Sequence, residues 1–297
     1  MNIIIVGTGA LGSLFAARLT QAGHPVTILG TWKEGIDAIN RDGIHYLDSN
    51  GEQHQFNIHA TDDLRECAGS AYALVLVKAW QTERASFQLK ECLAQDGLAV
   101  TLQNGLGNRE TLIRGLGPDR VALGVTTTGA TLLEAGSVKD GGEGKISIER
   151  NQTIGPLVAA LKSARFDLQI VDDALSLIWG KLVINSAINP LTALLKIPNG
   201  ELLKRPSARE MMGILARETA RVAAAETINL PFTDPVAAAE EVASKTAANH
   251  SSMLQDVLRG APTEIDAICG AIVERAEKYQ IDASANWACW KLIKALI

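Results

Sequence analysis

A glycine-rich turn close to the start of the chain limits the folds open to its first half. The apolar run Ile3–Val6 predicts a short buried strand, and apolar residues then recur with helical spacing up to Gly23, a typical C-cap. A second strand is predicted at Val26–Leu29. Between strand and helix, the pattern G-x-G-x-x-G brings the backbone close to a pyrophosphate, and it favours dinucleotide binding over a turn of an unrelated α/β fold. This glycine turn consists of Gly7, Thr8, Gly9, Ala10, Leu11 and Gly12.

Two further predicted strands each end at polar residues. Tyr72–Val77 runs into Lys78, and Leu98–Leu102 runs into Gln103-Asn104-Gly105. Open parallel sheets bind ligands outside the carboxyl ends of their strands, so Lys78 and Asn104 are expected at the same sheet edge as the glycine turn. Taken singly, Lys78 is better explained as a solvated loop lysine and Asn104 as part of an Asn-Gly turn. Their convergence on one edge favours a ligand site.

The remaining pattern divides the chain into two domains. Val121–Val125 and Phe166–Val171 predict strands, Lys145–Ile148 an antiparallel addition at the sheet edge, and residues 151–162 a helix. Strand signals disappear beyond Asp172. The predicted fold class is therefore α/β: a doubly wound, Rossmann-type sheet over residues 1–172, then an all-helical domain over residues 173–297.

One predicted helix of the second half carries a polar stripe on an apolar surface. The helix is expected from Leu175 to Asn189, with Pro190 marking a kink or its end. Lys181, Asn185 and Asn189 recur every four residues, a step that turns the side chain by only about 40°. Buried polar groups of this kind need partners, which are either protein groups or a small polar substrate.

Two further polar residues open later helices. Ser252 lies near the start of a short helix over residues 250–258, and Glu264 falls in the first turn of a helix that Thr263–Asp266 opens. A capping serine and a carboxylate complementing the helix dipole explain both positions without a ligand. The further helices are predicted at Ala208–Ala225 and Pro235–Ala247.

Composition excludes several functional classes. The net charge of −5 and the lack of a basic block argue against nucleic-acid binding. The start reads as a strand and not a signal peptide, no apolar run is long enough for a membrane span, and the four scattered cysteines suit reduced thiols. These features predict a cytoplasmic protein without disulfides. The five histidines show no ligand spacing, so no metal site is expected.

The end of the second strand bears on the choice of cofactor. Folds that select NAD usually place Asp or Glu there to bind the ribose 2′-hydroxyl. This chain has Thr31 and Lys33, which are able to hydrogen-bond a 2′-phosphate, and Glu34 lies further into the loop. The sequence therefore predicts a preference for NADP(H).

Six motifs taken together identify a family. In order along nearly the whole chain, the set resembles the ketopantoate reductases, which are 2-dehydropantoate 2-reductases of pantothenate and coenzyme A synthesis. The motifs are Gly7-x-Gly9-Ala-Leu-Gly12, Val77-Lys78-Ala-Trp80-Gln81, Gln103-Asn104-Gly105-Leu-Gly107, Lys181-x-x-x-Asn185-x-x-x-Asn189-Pro190-Leu-Thr192-Ala193, Ser251-Ser252-Met-Leu-Gln-Asp256 and Thr263-Glu264-Ile-Asp266.

The resemblance implies NADPH-dependent reduction of 2-dehydropantoate to (R)-pantoate. It implies that Lys181 is the general acid and that Glu264 holds the substrate and orients that lysine. Asn104, Asn185, Asn189 and Ser252 would contact the substrate, with Lys78 and Asn104 also near the cofactor. One departure is Thr31, which stands where some members have an Arg for the 2′-phosphate.

The chemistry of ketone reduction supports these roles. Hydride attack on a keto carbon develops negative charge on its oxygen, and a positioned cation that releases a proton stabilises that charge. A reductase of another 2-ketoacid, of the opine-forming or hydroxyacid type, and a non-catalytic NADP(H) sensor are the alternatives. The expected partner is a small 2-ketoacid, and a monomer and a homodimer both stay open.

Overall fold

The computed structural model describes residues 2–296, which form two compact units. The first comprises the residues up to Gln103 together with Asn108–Ala174. The second comprises the residues from Leu175 onwards together with the short segment Asn104–Gly107. That segment therefore belongs to the second unit, although it follows a strand of the first.

The first unit is built on an eight-stranded sheet. Its strand order is β12-β11-β8-β7-β6-β1-β2-β5, and every pairing is parallel except that of β8 with β11. The strands of this unit are β1 Ile3–Val6, β2 Val26–Leu29, β3 Ile44–Leu47, β4 Gln53–Phe56, β5 His59–Thr61, β6 Ser70–Val75, β7 Leu93–Thr101, β8 Val121–Thr126, β9 Ala130–Glu134, β10 Ser137–Asp140, β11 Lys145–Glu149 and β12 Asp167–Val171.

Alternate residues of β1 pack on opposite faces of this sheet. Ile3 and Ile5 join one buried apolar cluster, whereas Ile4 and Val6 join another. Helices cover both faces, because the helix Ala10–Gln21 contributes Phe15 to the first cluster and the helix Thr82–Cys92 contributes other residues to the second. A strand buried on both faces must be continuously apolar, which explains the opening sequence. The helices of this unit are α1 Ala10–Gln21, α2 Lys33–Asp42, α3 Thr82–Cys92, α4 Asn108–Leu116 and α5 Gly155–Ser163.

Two details of the first unit differ from the sequence predictions. β11 does pair antiparallel with β8, but it is not the edge strand, because β12 pairs parallel with it on the outer side. The helix predicted from residue 151 begins at Gly155. The Asn151 side chain instead accepts a hydrogen bond from the Thr153 backbone N–H over 2.9 Å, a turn that competes with the helix.

A second, four-stranded sheet was not predicted. Its order is β4-β3-β10-β9, and β3 pairs antiparallel with β4 but parallel with the distant β10. Tyr46 of β3 and Val138 of β10 join the same apolar cluster as Phe15 of α1.

The described residues of the second unit form helices and loops but no strand, which confirms the predicted fold class. A π-helical turn, Asp266–Gly270, precedes its penultimate helix. No helix in residues 2–296 is both long and apolar enough to cross a bilayer. The helices are α6 Ala174–Leu195, α7 Glu201–Lys204, α8 Pro206–Ala225, α9 Pro235–Lys245, α10 Ser252–Leu258, α11 Ala271–Lys278 and α12 Ser284–Lys294.

The prediction that α6 could end at Asn189 is wrong. The helix continues through Pro190 to Leu195. A proline inside a helix removes one backbone hydrogen bond and costs about 3 kcal/mol. Here the turn is held by burial of Leu191 and by Thr192, whose hydroxyl lies 3.0 Å from the carbonyls of Ile188 and Asn189.

Candidate active site

The glycine turn adopts a backbone that only glycine fits. Gly7 has φ +128°, and its N–H donates to the Leu29 carbonyl over 2.8 Å, which ties the turn to β2. A Cβ placed on Gly12 would lie 1.9 Å from the Gly7 carbonyl oxygen. The third glycine therefore lets α1 begin directly against the end of β1.

The N-terminus of α1 is suited to an anion. Gly9 is its N-cap, and among the described residues no side chain caps it and no acid lies in its first turn. The first N–H groups of a helix lack intrahelical partners, and the helix dipole is positive at this end. Gly9 is exposed and Ala10 and Leu11 are partly exposed, while Thr8 is buried. The residues present thus fit the pyrophosphate of a dinucleotide.

The loop after β2 contains the residues expected to choose the cofactor. Thr31 and Lys33 are both exposed, and Lys33 is the first residue of α2. Glu34 is also exposed and lies in the first turn of that helix. A Cβ on Gly30 would lie 2.6 Å from the Thr8 side chain, so this loop packs directly on the glycine turn.

Lys78 lies on a loop that a buried glutamine holds in place. It is half-buried and precedes a single 3₁₀ turn, Ala79–Gln81. Gln103 Nε2 donates to the Val77 carbonyl over 2.9 Å and to Thr82 Oγ1 over 2.8 Å, so it bridges the two ends of that turn. Gln103 was not among the predicted site residues. A long carboxamide directly after a buried strand was the available signal.

Asn104 and Glu264 meet within the second unit. Asn104 Nδ2 donates to Glu264 Oε2 over 3.0 Å. The next residues fix the contact, because Leu106 N–H donates to the Ala267 carbonyl over 2.9 Å and Gly105, at φ +81°, leaves no room there for a Cβ. Asn104 therefore belongs to an Asn-Gly turn, and that turn also places its side chain against Glu264.

Glu264 is buried. The prediction that it lies in the first turn of an α-helix is wrong. Glu264 instead precedes the π-helical turn, in which Gly270 N–H donates to the Ile265 carbonyl over 3.0 Å. The Glu264 carbonyl still accepts from Ile268 N–H. Single π turns are frequent at functional sites because the extra residue changes the direction of side chains.

Lys181 has an electrostatic interaction with Glu264. It lies on α6 and is largely withdrawn from solvent. Burial lowers the pKa of the Lys181 ammonium to about 8, and the nearby Glu264 carboxylate partly opposes this by favouring the charged form. A depressed pKa was not expected from the sequence. At neutral pH the ammonium still predominates, so the group retains a proton to give.

The rest of the polar stripe follows Lys181 along α6. Asn185 is half-buried and Asn189 is buried. Ser252 is exposed as the first residue of α10, and it does not cap that helix. The cap is Ser251, whose Oγ accepts from Leu254 N–H over 3.1 Å and lies 2.7 Å from Thr192 Oγ1. The capping explanation of Ser252 is therefore wrong.

The sequence predicted histidines without metal-ligand spacing and cysteines that form no disulfides. His54 lies beside Asp48 and Glu52 on the β3–β4 turn, with candidate ligand atoms within 4.8 Å, so this histidine does have acidic neighbours. Asp48 also accepts hydrogen bonds from two backbone N–H groups of the same turn. All four cysteines are free and buried, as predicted.

Family models match both parts of the chain. The model described as ketopantoate reductase PanE/ApbA matches residues 3–152, and the model of the C-terminal part of the same family matches residues 173–297. The chain belongs to the ketopantoate reductase family. The resemblance inferred from the six motifs is thereby confirmed. A relative from Halobacterium salinarum, named 2-dehydropantoate 2-reductase, is 32% identical, with 95% of this chain and 94% of the relative covered.

Solved structures show the same fold over the full length. A PanE/ApbA family ketopantoate reductase from Ralstonia eutropha has a TM-score of 0.93 and 30% identity, with 100% of this chain and 98% of that chain covered. D-mandelate dehydrogenase, solved with NADH and anilino(oxo)acetate, also has a TM-score of 0.93, at 25% identity and the same coverage. The fold is thus shared by a ketopantoate reductase and by a dehydrogenase named for a different hydroxyacid, mandelate.

Proposed function

We propose that the protein reduces 2-dehydropantoate to (R)-pantoate with NADPH. The observation that supports it most directly is the grouping of Lys181, Glu264 and Asn104 in the second unit, where a cation, an anion and an amide donor interact. Residues 1–172 would serve as the dinucleotide-binding domain and residues 173–297 as the substrate domain.

In this proposal Lys181 is the general acid. Bound NADPH supplies the hydride, and the ketone oxygen then gains negative charge. The Lys181 ammonium stabilises that charge and donates a proton to the oxygen, which leaves a hydroxyl. Glu264 favours the charged ammonium against the effect of burial. It also accepts a hydrogen bond from Asn104 Nδ2, which fixes the orientation of that carboxamide.

The amide and hydroxyl side chains would hold the ketoacid. Asn104, Asn185 and Asn189 each offer N–H donors to a carboxylate or hydroxyl without adding charge, and Ser252 offers an exposed hydroxyl. Asn185 and Asn189 follow Lys181 at one-turn intervals on α6, so they extend the row of polar groups along that helix.

The first unit would hold the cofactor. The pyrophosphate would bind at the glycine turn, where the N–H groups that open α1 are oriented outwards. Thr31 and Lys33 would bind the 2′-phosphate, and Lys78 would lie near the reacting part of the cofactor. Because Thr31 replaces the arginine found in some family members, selection of NADPH over NADH would depend on Thr31 and Lys33.

The test is a substrate panel followed at the absorbance band of reduced nicotinamide. Purified protein with NADPH is given 2-dehydropantoate, 2-ketoisovalerate or pyruvate, and each ketoacid is repeated with NADH. The proposal expects the highest kcat/KM for 2-dehydropantoate with NADPH. A clear preference for NADH would end the cofactor assignment, and preference for another ketoacid would end the substrate assignment.

A second candidate function is reduction of another 2-ketoacid. The likeness to D-mandelate dehydrogenase over the full length favours adding phenylglyoxylate, the ketoacid that corresponds to mandelate, to the panel. NADPH binding without oxidation of any ketoacid would instead support the sensor alternative.

Two further points belong to the proposal. We place the protein in the cytoplasm, in keeping with its free cysteines. Its assembly is proposed as either a monomer or a homodimer, and light scattering on the purified protein distinguishes the two.

A further inference from the structure

Trp32 has its indole ring fixed against the start of α2. Its backbone is extended at the N-cap of that helix, with φ −81° and ψ 100°. A Cβ built on Gly35 would lie 2.4 Å from Cε3 of the indole and 2.9 Å from Cζ3. The six-membered part of the ring therefore lies directly on the Gly35 backbone, a position that any larger residue at 35 would prevent.

The Trp32 residue nevertheless stays 37% exposed. Large aromatic side chains are usually more fully buried than this, and an aromatic side chain that keeps accessible surface is suited to contact with a ligand. Because the Gly35 backbone supports one part of the ring, the indole is held in place while part of the residue stays open to solvent. This combination is what a stacking surface requires.

The position of Trp32 relates it to the glycine turn. Leu29, at the end of β2, accepts from Gly7 N–H over 2.8 Å, and Gly30 packs against Thr8. Trp32 follows two residues later. In dinucleotide-binding sheets of this type the pyrophosphate lies at the first turn, and the adenosine ribose lies at the end of the second strand.

We propose that the indole of Trp32 stacks on the adenine of the dinucleotide. This inference rests on the proposed cofactor class but not on the identity of the ketoacid. Thr31 and Lys33, on either side of Trp32 in the sequence, would then serve the ribose and its 2′-phosphate. Stacking on an aromatic ring contributes to affinity regardless of the 2′-phosphate, so it supports NADPH and NADH equally.

The test measures equilibrium binding, not turnover. Kd values for NADP⁺ and for adenosine 2′,5′-bisphosphate are determined by calorimetry in wild type, Trp32→Ala, Trp32→Phe and Gly35→Ala. Trp32→Ala should weaken both ligands about tenfold, within the range measured for base stacking. Trp32→Phe should retain most of the affinity. Gly35→Ala should weaken binding because its methyl group displaces the ring.

Matched controls separate stacking from general damage. Gly155→Ala adds a methyl group to the first residue of α5, where nothing lies within 4 Å, and Trp287→Ala removes an exposed indole from the second unit. Both should leave Kd unchanged. Reduction of the ketoacid by reduced nicotinamide mononucleotide, which lacks adenine, should be equal in wild type and Trp32→Ala.

The outcomes are distinguishable from failure of the proposed reaction. Tight NADP⁺ binding with a tenfold loss in Trp32→Ala supports the inference even if 2-dehydropantoate is not reduced. An unchanged Kd in a folded Trp32→Ala protein overturns it, as does an unchanged Kd in Gly35→Ala. Failure of the wild type to bind any adenine dinucleotide overturns both the inference and the cofactor assignment.

Discussion

Asn104 and Glu264, 160 residues apart in the chain, are joined by a hydrogen bond of 3.0 Å from Nδ2 to Oε2. The same carboxylate raises the pKa of Lys181 against the opposing effect of burial. Glu264 is thus the residue through which an amide donor and a cation are related. Glu264 is buried, so its interactions are screened less by water than those of an exposed ion pair.

Replacing Glu264 should change both substrate affinity and the pH profile. Glu264→Ala removes the charge that raises the Lys181 pKa, so the alkaline limb of kcat/KM should move to lower pH. KM for the ketoacid should rise because Asn104 loses its acceptor. Glu274→Ala, at an exposed position of α11, is the control. An unchanged KM and pH profile would leave Glu264 without a role in binding the ketoacid or in keeping Lys181 charged.

The pH dependence of the wild type should show one alkaline transition. Lys181 must be protonated to act as an acid, and burial lowers its pKa to about 8. The value of kcat/KM for the ketoacid should therefore be level on the acid side of this pKa and fall as pH rises through it, because kcat/KM reports the free enzyme. Activity that increases through this range would contradict a protonated lysine.

Gly12 should tolerate no side chain. Gly12→Ala places a methyl group 1.9 Å from the Gly7 carbonyl oxygen, so the turn must move away from the start of α1. NADP⁺ binding measured by calorimetry should weaken at least about tenfold, since the backbone N–H groups proposed to hold the pyrophosphate are displaced. The open position Gly155 again serves as control. Wild-type affinity in Gly12→Ala would place the cofactor elsewhere.

Two adjacent serines should have separable roles. Ser251→Ala removes the cap of α10 and the hydrogen bond to Thr192, so the free energy of unfolding should fall by about 1 kcal/mol or somewhat more. Ser252→Ala should leave stability unchanged and raise KM for the ketoacid, because Ser252 is exposed and does not cap the helix. Denaturant unfolding and steady-state kinetics measure the two effects. If both variants behave alike, the distinction between the two serines is wrong.

Local sequence predicted the parts of the fold that local forces determine. The continuous apolar run of β1 reflects burial on both sheet faces, and the glycine pattern reflects a backbone that admits no Cβ at Gly12. The stripe of Lys181, Asn185 and Asn189 follows from helical geometry alone. These features need no knowledge of distant residues.

What the sequence did not predict depends on distant contacts. The sheet containing β3 and β10 pairs segments about 90 residues apart, and its strands are short and partly exposed. Ser251 is buried and contacts Thr192, 59 residues earlier in the chain, whereas Ser252 is exposed. The π-helical turn after Glu264 and the depressed pKa of Lys181 likewise arise from tertiary packing.

The central claim is that Lys181 supplies the proton in ketoacid reduction. Its most direct test compares Lys181→Ala with wild type by NADPH oxidation at saturating 2-dehydropantoate, after equal NADP⁺ affinity has been established by calorimetry. The account predicts that kcat falls about a hundredfold or more, from loss of the acid and of its charge. Turnover close to that of wild type would contradict it.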